Sequence, residues 1–102
     1  TDLYAVEVYS YYIDTLLRNE DFEEAQKLIA FALKIKGMDR FEIRLKEVLL
    51  KEMQHSFKEA LQLAKKLPLY TFEQDDKSVI EETIERVRTK RDLTLKTRKS
   101  KK

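Results

Sequence analysis

The stretch Asp21-Phe22-Glu23-Glu24-Ala25-Gln26-Lys27-Leu28-Ile29-Ala30-Phe31-Ala32-Leu33 returns in weaker form at Ser56-Phe57-Lys58-Glu59-Ala60-Leu61-Gln62-Leu63-Ala64, with Phe22 and Phe57 lying 35 positions apart. An aromatic residue, an acid and a small alanine recur at matched offsets, which is the signature of a structural repeat. Both copies open on a residue able to cap a helix, Asp21 or Ser56, with Glu24 or Glu59 three positions on as the second half of a capping box. Asp39 with Glu42 makes a third such box. One Gly and one Pro in the whole chain leave few places where a backbone of this kind breaks. The expected fold is all-α, with antiparallel helical hairpins stacked in about five helices.

Helix boundaries follow from the apolar period. A first helix is expected over about Leu3 to Arg18. Tyr9, Tyr12, Ile13, Leu16 and Leu17 recur on it at three and four, with Tyr9 and Tyr12 assigned to the hairpin core. Its polar strip is narrow, Glu7, Ser10, Asp14 and Arg18, so most of its circumference calls for a neighbour. A second helix runs to about Lys36, with Phe22, Ala25, Leu28, Ile29, Ala32, Leu33 and Ile35 inward, and Gly37 ends it with a positive φ. A third, to about Gln54, turns Phe41, Leu45, Val48, Leu49 and Met53 inward. A fourth carries Phe57, Ala60, Leu61, Ala64 and Leu67 and stops at Pro68. Leu67 to Gln74 reads as a loop whose Tyr70 and Phe72 pack back onto the bundle. A fifth helix starts near Asp75 or Ser78 and buries one narrow stripe of Ile80, Ile84 and Val87. The expected division is a first helical hairpin over 1–36, a second over 38–68, a terminal capping helix over 75–90 and a basic, disordered tail over 91–102.

The first hairpin resembles the tetratricopeptide repeat (TPR) family. Tyr9, Tyr12 and Leu16 fall at its large first-helix positions, Phe22 at the aromatic opening its second helix, and Ala25, Ile29 and Ala32 at the small, large and small positions. Ile13 stands where the family places a small residue, and Gly37 where its Pro falls. In the second hairpin Phe57 and Ala60 align, whereas Ala64 and Leu67 exchange the large and small positions. The resemblance covers about residues 6 to 68. It implies TPR-like stacking and a groove, lined by the first helix of each hairpin, that holds a peptide or partner helix. No Lys and Arg cluster on those helices suits a carboxylate-terminated peptide.

Composition and charge bound the remaining possibilities. At 102 residues the chain has room for one modest core. With no cysteine it has neither a disulfide framework nor a thiolate metal site, and no apolar run reaches the roughly 18 residues of a membrane span. It begins at Thr1 without an initiator Met, which reads as processing or excision from a longer protein, and the expected location is intracellular, cytoplasmic or nuclear. Charge is unevenly placed: residues 87–102 hold eight Lys or Arg against one acid, +7, and residues 1–86 balance at −5.

Chemistry-bearing constellations are sparse. One glycine forms no phosphate-cradling loop, no nucleophile sits beside a base, and His55 lacks the second ligand that zinc requires, so it reads as a solvated turn residue. The pairs Glu23-Glu24, Asp75-Asp76 and Glu81-Glu82 diverge by about 100° on a helix and sit where carboxylates favour the dipole or water. No catalytic, metal or cofactor site is expected. Tyr4, Val8 and Tyr11 have no covering element within the chain. Tyrosine offers apolar area with a polar tip, so this flank is expected to meet a preceding repeat of a parent chain, a second copy or another protein. The tail cations Arg88, Lys90, Arg91, Lys96, Arg98, Lys99, Lys101 and Lys102 suit nucleic acid, a membrane surface, an acidic partner, nuclear import or plain solubility. Nothing among them reads bases. The function expected is a non-catalytic protein-protein interaction or complex-assembly scaffold, with a nucleic-acid-associated accessory factor binding through the tail as the alternative.

Overall fold

The computed structural model describes residues 3–100, with side chains from 5 to 96. Five helices form, α1 Leu3–Arg18, α2 Phe22–Leu33, α3 Arg40–Met53, α4 Phe57–Lys65 and α5 Asp75–Ser100, with a 3₁₀ segment at Leu67–Tyr70 and no strand among the described residues. The chain is all-α, as its period requires. Its two hairpins, α1 with α2 and α3 with α4, pack through α3, and α5 closes the far side against α4. The Cα frame measures 53 × 32 × 17 Å, so the helices lie as a thin slab. No helix among the described residues is long and apolar enough to cross a membrane.

The 35-residue offset is realised at the two hairpin corners. Glu20, at φ 60, donates its amide to the Leu17 carbonyl at 3.0 Å while Asp21 reaches back to Leu16 at 2.9 Å. His55, at φ 62, donates to Glu52 at 3.0 Å while Ser56 reaches Lys51 at 2.9 Å. This is one Schellman closure made twice, with a non-glycine residue in the left-handed position each time. The capping boxes fare differently. Asp39, with ψ 95 in the extended region, accepts from the Glu42 amide at 3.2 Å. Asp21 and Ser56, at ψ 65 and 66, make no side-chain cap. Their backbone is set by the corner and lies outside the extended geometry that aims a cap at the first turn.

Two apolar clusters share α3. Ile13, Leu17, Ala25, Ile29, Ala32, Met38, Ile43 and Leu50 fill one, and Phe41, Val48, Ala60, Leu61, Ala64, Leu67, Ile80 and Val87 the other. At 100° per residue, Ile43 and Leu50 lie about half a turn from Phe41 and Val48, so α3 is covered on opposite sides. The inward set expected for this helix took Phe41, Leu45 and Val48 from one seam and Leu49 and Met53 from the other, and omitted Ile43 and Leu50, both wholly buried. The polar strip expected on α1 is partly interior as well. Ser10 donates to Glu42 at 3.1 Å and Asp14 pairs with Lys46 at 2.8 Å, both on α3. The bulky Ile13 is wholly buried in a cluster shared with the small Ala25 and Ala32.

Four further expectations are corrected. Tyr12 is 56 % exposed and not core, because Ile13 and Leu17 take the face turned to α2 and α3. The second helix ends at Leu33, and the chain tightens through 3.1 Å bonds from Lys34 to Phe31 and Ile35 to Ala32, the i to i−3 pattern of a 3₁₀ turn, before Gly37 at φ 84. In the expected loop, Tyr70 packs against the core under the Arg44 guanidinium, 5.0 Å from its ring centre, whereas Phe72 is fully exposed. Finally, the boundary set at residue 90 is not seen. α5 continues to Ser100 because Lys90 to Ser100 hold no breaker, Arg, Lys and Leu are good helix formers, and cations near a helix C-terminus favour its dipole. Lys101 and Lys102 lie outside the described residues.

Leu50→Ala is expected to destabilise the chain by about 2–5 kcal/mol through a cavity beside α3. Urea unfolding followed by far-ultraviolet dichroism and by tyrosine fluorescence should give coincident single transitions, since α3 belongs to both clusters.

Candidate interaction surfaces

The outer face of α1 follows from what its inner face buries. With Ile13 and Leu17 turned inward, the residues about half a turn away point to solvent. Tyr11 is 62 % exposed, and its ring meets that of Tyr12 edge to face, centroids 5.9 Å apart at 70°. Thr15 donates its hydroxyl to the Tyr11 carbonyl at 3.0 Å, one turn along the same face. Val8 is half-buried. The Tyr4 side chain lies outside the described residues. Of the three residues expected to lack a cover on this flank, Tyr11 is open and Val8 is half-buried, and the exposed Tyr12 joins them. Around the helix, Tyr9 leans on Phe31 of α2 with centroids 6.1 Å apart, and Phe31 is itself exposed. Leu16, Leu28 and Phe31 line a shallow recess of about 350 Å³ beside Glu24 and Lys27. One end of the slab therefore carries tyrosine and phenylalanine rings open to water, a composition suited to protein contact.

Of the cations expected to form a free basic tail, Lys90 is drawn into the fold, and Arg88 and Arg91 pair with acids on α5 itself. Glu52 near the end of α3 is buried, and Arg86 of α5 grips it with two bonds of 2.8 Å, from Nε to Oε2 and from an Nη to Oε1. Lys90, one turn on, bonds to the same Oε2. Arg88 pairs with Glu85 at 3.5 Å and Arg91 with Asp92 at 3.1 Å. Lys96 is exposed on α5. The backbone of Arg98 and Lys99 is helical, and their side chains lie outside the described residues. Sequence reasoning missed Glu52, although its place one turn after Val48 on an inward seam was a readable sign.

Burial alone would push the Glu52 carboxyl up. The hydrogen bonds and charges of Arg86 and Lys90 outweigh that and hold it below its ordinary value. The bond to Glu52 in turn holds the Arg86 guanidinium above its own. This arrangement clamps α5 to α3.

His55 sits in the left-handed corner position, exposed, with its ring edge-on to Phe57 at 5.7 Å. Among the described residues no group of three or more His, Asp or Glu side chains is placed to hold a metal ion. No protein-family model, curated protein or solved structure matches the chain.

Since the folded Glu52 carboxyl lies below its unfolded value, the unfolded chain takes up the proton first as pH falls. The clamp's stabilisation is therefore complete above about pH 5 and drains through the ordinary glutamate range toward the lower folded value. Glu52→Gln is expected to cost about 1–3 kcal/mol at neutral pH, less than for a fully buried pair because both cations are half exposed. Urea midpoints measured at neutral pH and below about pH 4 should show the difference between Glu52→Gln and wild type narrowing in acid.

Proposed function

We propose that the chain is a non-catalytic protein-interaction or complex-assembly module built from TPR-like hairpins, and that its contact surface is the outer face of α1. The observation carrying this reading is the Tyr11 and Tyr12 pair, more than half exposed on a helix whose opposite face is filled by Ile13 and Leu17. Two rigid aromatic side chains held edge to face offer large apolar area at little conformational cost, the usual make-up of a binding hot spot. Val8 adjoins them and Tyr4 belongs to the same helical flank. The fitting partner is a neighbouring repeat of a parent chain or an apolar helix of another protein. Lys46 on α3 is occupied by Asp14 at 2.8 Å and Glu42 at 3.6 Å, which speaks against recognition of a peptide carboxylate along the α1 and α3 side.

The alternative, nucleic-acid binding through the tail, draws on the basic second half of α5. Arg88, Lys90 and Arg91 are engaged with Glu85, Glu52 and Asp92, which lowers the charge they offer to phosphates and favours the first reading.

A photo-crosslinker placed at position 11 is expected to capture a partner that the same group at the exposed Lys66 does not. Tyr11→Asp with Tyr12→Asp should weaken that capture by about tenfold or more while the helical dichroism stays unchanged. Equal capture at both positions would sink the α1 assignment. A chain ending at Leu95 keeps Lys90 on Glu52 and removes five tail cations. Retained partner capture is expected from it, and parallel loss of partner capture and low-salt nucleic-acid retention would turn the reading to the alternative.

A further inference from the structure

Phe72 is displayed in full on a loop that is not slack. The Thr71 hydroxyl donates to the Asp76 carboxylate and accepts from the Glu73 amide at 3.1 Å, tying the chain on either side of the ring. Leu69, also largely exposed, lies three residues earlier on the 3₁₀ segment. Glu73, Asp75 and Asp76 follow directly, so the ring stands beside negative charge. A large apolar side chain held out on a fixed loop and rimmed by polar groups has the form of a binding anchor.

At the other end of α5 lies an open groove of about 510 Å³ between the start of α4 and the helix's second half. Phe57, Thr94 and Leu95 give it apolar surface, and Lys58 and Arg91 give it positive charge. Glu59, also on the groove, is turned to Lys51 at 3.4 Å, and one edge of Arg91 is taken by Asp92. Phe72 cannot enter this groove in its own chain. The loop precedes Asp75 and the groove begins at Arg91, about 25 Å along a helix rising about 1.5 Å per residue.

We propose that the chain assembles head to tail, with Phe72 of one copy seated between α4 and α5 of the next and the acidic loop set against the basic groove. The charge complementarity is built into α5 itself. Its first half holds Asp75, Asp76, Glu81, Glu82 and Glu85 against one lysine, and its second half, from Arg86 to Lys99, holds Lys and Arg against one aspartate. Two copies in register end to end bring opposite signs together. In a head-to-tail arrangement each copy leaves one anchor and one groove unfilled at its ends, so the contact propagates along a chain of copies unless the rotation between them closes a ring. It uses none of the α1 residues, so it stands or falls separately from the contact proposed above.

Sedimentation velocity on the purified full chain, from micromolar to near-millimolar concentration, tests this directly. The wild type is expected to rise in mean mass past that of a dimer with concentration, and to fall back as salt is raised. Phe72→Asp removes the anchor and keeps the groove, whereas Leu95→Glu sets a like charge against the acidic loop, blocks the groove and keeps the anchor. Both positions are exposed, so both variants are expected to fold. Each alone should be monomeric, with association weakened by about tenfold or more. Mixed in equal amounts they should form dimers and nothing larger, since one productive pairing remains. A wild type that stays monomeric throughout, a Phe72→Asp chain that assembles like wild type, or a mixture that stays monomeric would each overturn the proposal.

Discussion

A single helix with two apolar seams sets the arrangement of everything else. Ile43 and Leu50 on one side of α3, Phe41 and Val48 on the other, bind a hairpin to each flank. Fully burying a side chain of this size is worth about 1.5–3 kcal/mol, so the two seams outweigh any one of the chain's surface ion pairs. The strips between them are narrow, and their polar side chains are put to use across helix boundaries. Lys46 reaches Asp14 on α1, Lys51 reaches Glu59 on α4, Arg44 lies over Tyr70, and Glu52 takes two cations from α5. A chain with 39 % charged residues folds here by placing charge where helices meet at their edges and apolar groups where they meet face to face.

The Glu52 cluster shows how the basic half of α5 differs from a solvated tail. Arg86 and Lys90 are spaced one turn apart, so both reach the same carboxylate from one face of the helix. The bidentate geometry of Arg86 fixes the rotation of α5 about its own axis, since the planar guanidinium meets both oxygens in one orientation. Ile80, Ile84 and Val87 then face α4. Apolar packing supplies adhesion and the carboxylate supplies alignment.

Much of the architecture was legible in the chain. Each helix, the two corners, the α4 stripe from Phe57 to Ala64 and the α5 stripe of Ile80, Ile84 and Val87 follow from a period of 3.6 and from residues that end helices. What escaped has physical causes. One continuous stripe on α3 runs from Phe41, Leu45 and Val48 to Leu49 and Met53 and leaves out Ile43 and Leu50, because a single stripe cannot cover a helix buried on opposite sides. Tyr12 was assigned inward because an apolar helix offers several stripes of equal merit, and the neighbouring alanines of α2 decide among them. Glu52 looks like a surface acid until its cations, 34 and 38 residues away, are brought to it. Of the surfaces, Tyr11 was readable as apolar area without a cover. Phe72 was not, because an aromatic residue in a loop without a helical period carries no sign of which way it faces.

The corners at Glu20 and His55 carry an energetic meaning. A residue with a Cβ in the left-handed region costs about 1–2 kcal/mol, and neither position relieves this with glycine. The cost is met by the docked helices on either side, α1 against α2 and α3 against α4, which hold each corner in place.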